Sequence, residues 1–230
     1  MATYIIGLDE AGCGAAIGPL VVTAIAIKVE DIFILQQLQI KDSKLFHSGF
    51  KGRRARARSY YELQDIVTPQ YISCCQISSN NISKYMMDGE RLDDIELSVA
   101  KSALFNLYYS LKENDTIQQI MLDGEQQFRN FNAPTFNGLY PIIIEDKADL
   151  NHIEVAAASI VSKHIRDRDT KSIMGEAFDK GAGYPNKFTK EWIENYPELA
   201  APYLRYSWKW CNKLNKKTQK IIKEILIRSK

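Results

Sequence analysis

The sequence has few of the residues that bind zinc or form disulfide bonds. Its 230 residues include three histidines and four cysteines. The cysteines form no Cys-x-x-Cys pair and stand at Cys13, Cys74, Cys75 and Cys211. A zinc centre is therefore not indicated. Unpaired thiols are typical of a reducing compartment, so we expect a cytoplasmic protein.

A long apolar run and a basic N-terminus are also missing. The longest apolar run, residues 15–27, is interrupted by Gly18 and Pro19 and is too short to span a bilayer. The opening residues MATYIIGLDE contain two acids and no basic residue, unlike a signal peptide. We expect neither contact with a membrane nor secretion.

The net charge is small, +2, but the charges are unevenly distributed. Residues 41–58 contain seven basic residues and one acid, and residues 205–230 contain nine basic residues and one acid. The rest of the chain is therefore acidic. This polarisation suits a protein that binds phosphates and works with carboxylates, although two solvated charged faces produce the same pattern.

Apolar periodicity predicts alternating strands and helices. Short runs rich in Ile and Val predict strands at residues 5–8, 20–29, 117–122 and 139–144. Apolar residues with a helical spacing cover residues 88–111. A second helix is predicted to begin at Asn151, which forms the spacing of a capping box with Glu154.

This alternation is typical of an α/β fold. After residues 183–185 the sequence is helical in pattern, aromatic and then basic. We therefore predict a catalytic domain over residues 1–190 and a C-terminal helical, basic extension over residues 191–230, packed on the same domain.

Acidic side chains follow or precede several predicted elements: Asp9, Glu10, Asp123 and Asp149. Because strand ends converge at one edge of an open α/β sheet, these carboxylates are expected to meet there. Crowded carboxylates repel one another unless cations neutralise them, and hard oxygen ligands favour Mg²⁺ or Mn²⁺. Two such ions can drive phosphodiester hydrolysis. Taken singly, an Asp after a strand is more often a turn or capping residue.

Three glycines follow the first acids, at positions 12, 14 and 18. A dinucleotide-binding loop requires a helix that begins within the glycines, whereas Pro19 and the β-branched run after it predict a second strand, as in a hairpin. Glycines beside the acids instead allow the backbone to approach the sugar and phosphate of a substrate.

Two further clusters suit phosphate or sugar binding. Residues 41–44 offer a hydroxyl and two ammonium groups, and Arg53, Arg54, Arg56 and Arg58 follow them. Residues 183–185 form a Gly-Tyr-Pro turn that presents an aromatic ring. Either cluster alone also fits an ordinary exposed loop.

The order of these motifs carries a family resemblance. The chain contains DEAGxG (9–14), GP (18–19), DSK (42–44), DG (123–124), KAD (147–149), AASIVSKHIRD (157–167), GYP (183–185) and R-x-S-aromatic (205–208). Over about residues 5–210 this order resembles the ribonuclease HII family, the type 2 ribonucleases H. The resemblance implies a ribonuclease H-like fold, in which helices flank a mixed central sheet, with a C-terminal helical extension.

The resemblance also implies an activity and its residues. Asp9, Glu10, Asp123 and Asp149 match four catalytic carboxylates that bind two divalent ions, Mg²⁺ or Mn²⁺. Members resemble endonucleases of DNA replication and repair that cut the RNA strand of RNA–DNA hybrids or cut 5′ to a lone ribonucleotide in duplex DNA. They leave a 3′-hydroxyl and a 5′-phosphate.

Substrate contacts follow from the same matches. The backbone at Gly12 and Gly14, with Cys13 between them, matches a loop that senses the ribose 2′-hydroxyl, the group that distinguishes RNA from DNA. Tyr184 is similar to a tyrosine near that sugar. Ser43, Lys44 and Lys163 correspond to polar positions that hold the nucleic-acid backbone. We expect a monomer, and no short clamp-binding peptide is evident.

One departure from the family pattern concerns Cys13. Most bacterial members have Gly-Arg-Gly where this chain has Gly-Cys-Gly, and a thiol cannot replace an arginine's charged contact with phosphate. Cleavage of hybrids alone, as in the sister family ribonuclease HIII, is therefore an alternative. A resolvase-like nuclease and a catalytically silent hybrid-binding module are the others.

Overall fold

The computed structural model describes residues 1–38, 40, 49–129, 131 and 140–228. Its strands are β1 Thr3–Ala11, β2 Leu20–Lys28, β3 Ile72–Ile77, β4 Thr116–Asp123 and β5 Ile142–Glu145. Its α-helices are α1 Ile32–Gln37, α2 Phe50–Ile66, α3 Ser79–Met87, α4 Leu92–Ser110, α5 Glu125–Phe128, α6 Ala148–Asn151, α7 Ile153–Met174, α8 Phe178–Gly181, α9 Lys187–Asn195, α10 Pro197–Ala200 and α11 Lys216–Arg228.

The five strands form one mixed sheet in the order β3-β2-β1-β4-β5. Strands β1 and β2 are antiparallel and form the predicted hairpin, with Asp9 opposite Thr23. Strand β4 runs parallel to both β1 and β5. The parallel pairs place the ends of β1 and β4, and therefore their terminal acids, on the same side of the sheet.

Strands β1 and β2 are almost completely buried. Both faces of the central sheet are therefore covered, which explains why these strands read as continuous apolar runs rather than as alternating ones. At the centre of β1, helix α7 lies directly against the strand. A Cβ atom at Gly7 would lie 2.2 Å from the carbonyl carbon and oxygen of Glu154, so no side chain fits there.

The chain divides into two compact units. The first unit comprises Met1–Ala11, Val21–Cys75 and Glu96–His164, and it holds almost the whole sheet. The second unit comprises Gly12–Leu20, Gln76–Ile95 and Ile165–Lys230. The domain boundary predicted at residue 190 stays a prediction.

The second unit has its own apolar core. Its buried members are Ile17, Met174, Phe178, Trp192, Ile193, Ala200, Ala201, Leu204, Cys211, Leu214 and Ile222. Helix α11 contributes Ile222 to this core, while its lysines at 216, 217, 220 and 223 are exposed. The amphipathic pattern of the tail is therefore explained by packing.

Two predicted helix starts are wrong. The helix predicted over residues 88–111 begins at Leu92, because Gly89 adopts a φ of +98° that ends the preceding helix. The capping box at Asn151 does not form. Asn151 ends the short helix α6, its side chain donates to Glu145 Oε1 at 3.0 Å, and α7 begins at Ile153.

The predicted strands are present with shifted ends, and β3 was not predicted. Its sequence, ISCCQI, is half-buried and lacks both a continuous apolar run and a clear alternation. Among the described helices, none combines the length and apolar character needed to cross a membrane.

Candidate active site

Three of the predicted acids come together in the first unit. Asp9 on β1, Asp123 at the end of β4 and Asp149 in α6 each offer a carboxylate oxygen, and these oxygens lie within 4.8 Å of one another. Asp9 and Asp149 are buried, with 3% and 1% of their surface exposed, and Asp123 is half-buried. We call these three residues the carboxylate cluster.

Backbone and hydroxyl donors fix the cluster. Oδ1 of Asp9 accepts from the Glu10 amide at 2.8 Å, and Oδ1 of Asp123 accepts from the Ala148 amide at 3.0 Å. Ser162 on α7 donates to the Asp9 carbonyl at 3.0 Å. The left-handed backbone of Lys147, with a φ of 61°, begins the turn that presents Ala148 to Asp123. Such strain in a non-glycine residue is found where surrounding contacts impose it.

Lys163 is the cation of this site. Its Nζ lies 4.0 Å from Asp9 Oδ2 and 3.9 Å from Asp149 Oδ2, and it donates to Ser159 Oγ at 2.6 Å. The structure therefore places Lys163 against the carboxylates. The predicted contact between Lys163 and the nucleic-acid backbone stays a prediction.

Burial dominates the electrostatics of Asp9. It raises the pKa of Asp9 to about 6 from 3.8, against the opposing effects of the Lys163 ammonium and the Ser159 hydroxyl, while Asp123 raises it further. Desolvation of the Asp9 carboxylate thus outweighs the stabilisation that the Lys163 ammonium provides.

Glu10 lies beside the cluster but does not belong to its three-membered group. Burial raises its pKa well above the ordinary value, and the charges of Asp9, Glu96 and Asp123 raise it further. Glu96 on α4 is completely buried and was not singled out in the sequence. In the sequence, Glu96 is one polar residue on an otherwise apolar face of the predicted helix.

The residues present fit a divalent cation. Oδ2 of Asp9 and Oε2 of Glu10 are buried, and among the described residues no donor hydrogen-bonds to them. Repulsion between desolvated carboxylates is relieved by a cation of higher charge than lysine. All ligand atoms of the cluster are carboxylate oxygens, which suit Mg²⁺ or Mn²⁺ better than zinc.

The predicted glycine motif lies in the second unit, in residues 12–18, which we call the glycine loop. Gly12 has a φ of +93°, and a Cβ atom there would lie 2.5 Å from the Pro19 carbonyl oxygen, so glycine is required. Gly14 is exposed, and a Cβ atom there would lie 3.8 Å from the ring of Tyr184. The structure thus brings Gly14 and Tyr184 together.

Two arginines support this region. The guanidinium of Arg166 donates to the Ala182 carbonyl and lies 4.4 Å from the centre of the Tyr184 ring, as in a cation–π contact. Arg205 donates to the carbonyls of Gly12 and Cys13. Neither arginine was given a role from the sequence. The available signal for Arg166 is its position four residues after Ser162, on the same polar face of α7.

The structure describes only some of the other residues that are predicted to bind the substrate. Ser43 and Lys44 lie outside the described residues. The half-buried thiol of Cys13 forms no disulfide bond with the described residues. The arginines at 53, 54, 56 and 58 lie on helix α2, where Arg58 pairs with Glu62 at 2.7 Å.

The sequence is also similar to known proteins. Residues 6–211 match the model of the family described as Ribonuclease HII. Ribonuclease HII of Methanococcus maripaludis strain C6 is 36% identical over 220 aligned residues, which cover 89% of this chain and 84% of that protein.

Solved structures give the same result for the fold. The structure of the ribonuclease H2 from Pyrococcus horikoshii OT3 has a TM-score of 0.73 at 27% identity and covers 94% of this chain and 99% of that one. Bst-RNase HIII in complex with Mn²⁺ has a TM-score of 0.75 at 18% identity, covering 97% of this chain and 71% of that one, and supports the fold alone. The predicted ribonuclease H-like fold is confirmed. The chain therefore belongs to the ribonuclease HII family and is a ribonuclease H, a hydrolase of phosphodiester bonds.

Proposed function

We propose that this protein is an endonuclease that cuts the RNA strand of RNA–DNA hybrids and cuts 5′ to single ribonucleotides in duplex DNA, leaving a 3′-hydroxyl and a 5′-phosphate. The observation that carries the proposal is the carboxylate cluster, in which three acids from separate elements lie within 4.8 Å of one another. Membership of the ribonuclease HII family supports the same reaction class.

Asp9, Glu10, Asp123 and Asp149 are proposed to hold two divalent ions, Mg²⁺ or Mn²⁺. When bound, such ions supply an activated water and stabilise the leaving oxygen. The chain's own contribution is to keep these oxygens desolvated and oriented: Ala148 and Glu10 fix one oxygen each on Asp123 and Asp9 through their amides. Lys163 balances part of the negative charge.

The glycine loop and Tyr184 are proposed to bind the ribose. An exposed Gly14 beside an aromatic ring offers a backbone amide and a flat apolar surface to one sugar. Ser43, Lys44 and the arginines of α2 are proposed to hold phosphates on either side. The proposed location is the cytoplasm, and the proposed state is a monomer.

Cleavage of hybrids alone is the second candidate, and Cys13 favours it. The side chain at this position carries no charge, so a phosphate contact worth a factor of about 10 to 100 in affinity is missing unless another basic group replaces it.

The test uses two end-labelled duplexes, one a DNA carrying a single ribonucleotide and the other a continuous RNA–DNA hybrid. Each is incubated with the protein in Mg²⁺, in Mn²⁺ and in EDTA. Incision of both substrates with either metal supports the proposal. Cutting of the hybrid alone supports the second candidate, and restored incision by Cys13→Arg would identify the cause.

Two results would contradict the proposal. Cutting of an all-DNA branched substrate without any ribonucleotide would indicate a resolvase-like nuclease. Binding of the hybrid without cleavage in either metal, beside an active control enzyme, would indicate a silent binding module.

A further inference from the structure

Arg205 is a completely buried arginine in the second unit. It opens the R-x-S-aromatic stretch, and the proposed chemistry gives this stretch no part. A buried guanidinium is costly unless its N–H groups are well paired, so its partners indicate what it does.

Those partners are consecutive carbonyls of the glycine loop. Nη2 of Arg205 donates to the Gly12 carbonyl at 2.7 Å, and Nη1 donates to the Cys13 carbonyl. The backbone amide of Arg205 donates to the Ala16 carbonyl at 2.9 Å, which fixes the base of the side chain to the same loop. The ring of Trp208 lies 5.2 Å from its Cζ. Both the backbone amide of Arg205 and its guanidinium group are therefore held by the glycine loop.

This arrangement fixes the direction of two backbone amides. None of the described peptide bonds is cis, and in a planar trans peptide the C=O of one residue and the N–H of the next point in opposite directions. With the Gly12 and Cys13 carbonyls held on Arg205, the N–H groups of Cys13 and Gly14 point away from it.

At least one of these amides is available to a ligand. Gly14 is exposed, and within the described parts of the chain its N–H donates to no acceptor. Successive N–H groups that point the same way form a small concave site for an oxygen atom. The neighbouring ring of Tyr184 borders that site.

We propose that Arg205 is a positioning residue for ribose recognition: it holds two carbonyls of the glycine loop so that the amides of Cys13 and Gly14 face an oxygen of the substrate sugar. The proposal rests on the proposed function, since the ribose of the nucleic acid is the ligand. Arg205 itself touches neither the substrate nor the reacting atoms.

The experiment compares Arg205→Met and Arg205→Lys with the wild type and with Leu214→Ala. Leu214 lies in the buried core of the same unit, and its apolar side chain donates no hydrogen bond, so its variant controls for lost stability. Binding is measured in EDTA with an RNA–DNA hybrid and with the DNA duplex of the same sequence. Amide hydrogen exchange is measured in parallel on residues 12–16.

We expect Arg205→Met to reduce the preference for the hybrid by about tenfold or more, with unchanged affinity for the DNA duplex, because two charge-assisted hydrogen bonds are lost. Arg205→Lys should fall between it and the wild type, because one ammonium cannot reproduce the fork. Exchange of the Cys13 and Gly14 amides should accelerate in Arg205→Met. Leu214→Ala should lower the melting temperature and leave the preference and these two amides unchanged.

Each contrary result is separable. If the wild type shows no preference for the hybrid and cuts neither substrate, the proposed function fails. If the wild type prefers the hybrid and a folded Arg205→Met does too, only the role of Arg205 is overturned. If Arg205→Met does not fold, Arg205→Lys decides: a wild-type preference there overturns the proposal.

Discussion

The carboxylate cluster and the glycine loop differ in whether side chains or backbone groups face the proposed substrate. In the cluster, side-chain carboxylates are proposed to do the chemistry, and the Glu10 and Ala148 amides hold them in place. In the loop, backbone groups face outward and the support comes from the side chains of Arg166 and Arg205. Like charges destabilise the cluster, whereas the loop depends on a positive φ at Gly12 that glycine adopts without strain.

A site made of side chains is easier to predict from a sequence than a site made of backbone groups. Acids at strand ends are visible as residues, so the cluster was predictable. Every residue except proline has a backbone amide, so the sequence does not show which loop amides are exposed. The arginine that orients them lies 192 residues further along the chain than Cys13. Substitutions in the cluster should therefore change chemistry, and substitutions in the loop should change substrate choice.

Asp123→Asn should have the largest effect. Removal of one negative charge from the cluster should lower kcat about a thousandfold, equivalent to about 4 kcal/mol of transition-state stabilisation, with little change in hybrid binding. Single-turnover cleavage and binding in EDTA measure the two quantities. Asp146→Asn, at an exposed acid outside the cluster, is the matched control. A fully active Asp123→Asn protein would remove the cluster from the mechanism.

Asp9→Asn should change how stability depends on pH. The folded protein holds the Asp9 proton more tightly than the unfolded chain, because burial raises its pKa to about 6 from 3.8. The metal-free folded state therefore binds more protons in this range, and its stability falls as the pH rises from about 4 to about 6. A pKa difference of about 2 corresponds to a loss of about 3 kcal/mol in the free energy of unfolding over this pH range. Asp9→Asn should remove this pH dependence.

Urea denaturation in EDTA at several pH values measures this difference, and Asp65→Asn, at an exposed position on helix α2, serves as the control. Addition of Mn²⁺ at neutral pH should stabilise the wild type more than Asp9→Asn. Identical pH profiles for wild type and Asp9→Asn would show that this carboxyl ionises as it does in water.

Gly12→Ala and Gly14→Ala form a matched pair within the loop. Alanine at 12 requires a left-handed backbone and places Cβ 2.5 Å from the Pro19 carbonyl, so we expect a loss of about 2 kcal/mol in stability and weaker hybrid recognition. Alanine at 14 meets only ordinary contacts with Tyr184 and should fold normally. Melting temperatures and KM for the hybrid measure both effects. Equal losses in the two variants would mean that the loop does not depend on the conformation of Gly12.

Neutralisation of the α2 arginines should have the smallest effect. Replacement of Arg53, Arg54, Arg56 and Arg58 by Gln should raise KM about fivefold and flatten its salt dependence, with kcat nearly unchanged. The control removes the same charge from α11 through Lys216, Lys217, Lys220 and Lys223. If the α11 variant raises KM more than the α2 variant, the tail rather than α2 is the main phosphate contact.

The fold was predictable where apolar pattern and turn residues agreed. The hairpin of β1 and β2 was recognised because Pro19 and the β-branched run after it favour a second strand, and the structure has an antiparallel pair there. The convergence of Asp9 and Asp123 followed from their positions at strand ends, whereas Asp149 was placed with them from its position just ahead of the second predicted helix.

The failures have a common cause, which is tertiary contacts that outweigh local signals. Asn151 has the spacing of a capping residue but bonds to Glu145 instead, a partner that no local pattern indicates. Strand β3 is defined by its pairing with the sheet and not by its own sequence. Glu96 and Arg205 have partners distant in sequence, so neither was given a role.

Gly7 has a further consequence for the carboxylates. At this point β1 and α7 meet backbone to backbone, so their separation is set by atomic radii and not by side-chain rotamers. Two residues further along β1, the Asp9 carbonyl accepts from Ser162 on the same helix. Side-chain rotamers therefore do not set how closely β1 approaches α7 at this point, and the hydrogen bond from Ser162 holds Asp9 against the same helix. The position of Asp9 relative to α7 thus depends on backbone contact and one hydrogen bond.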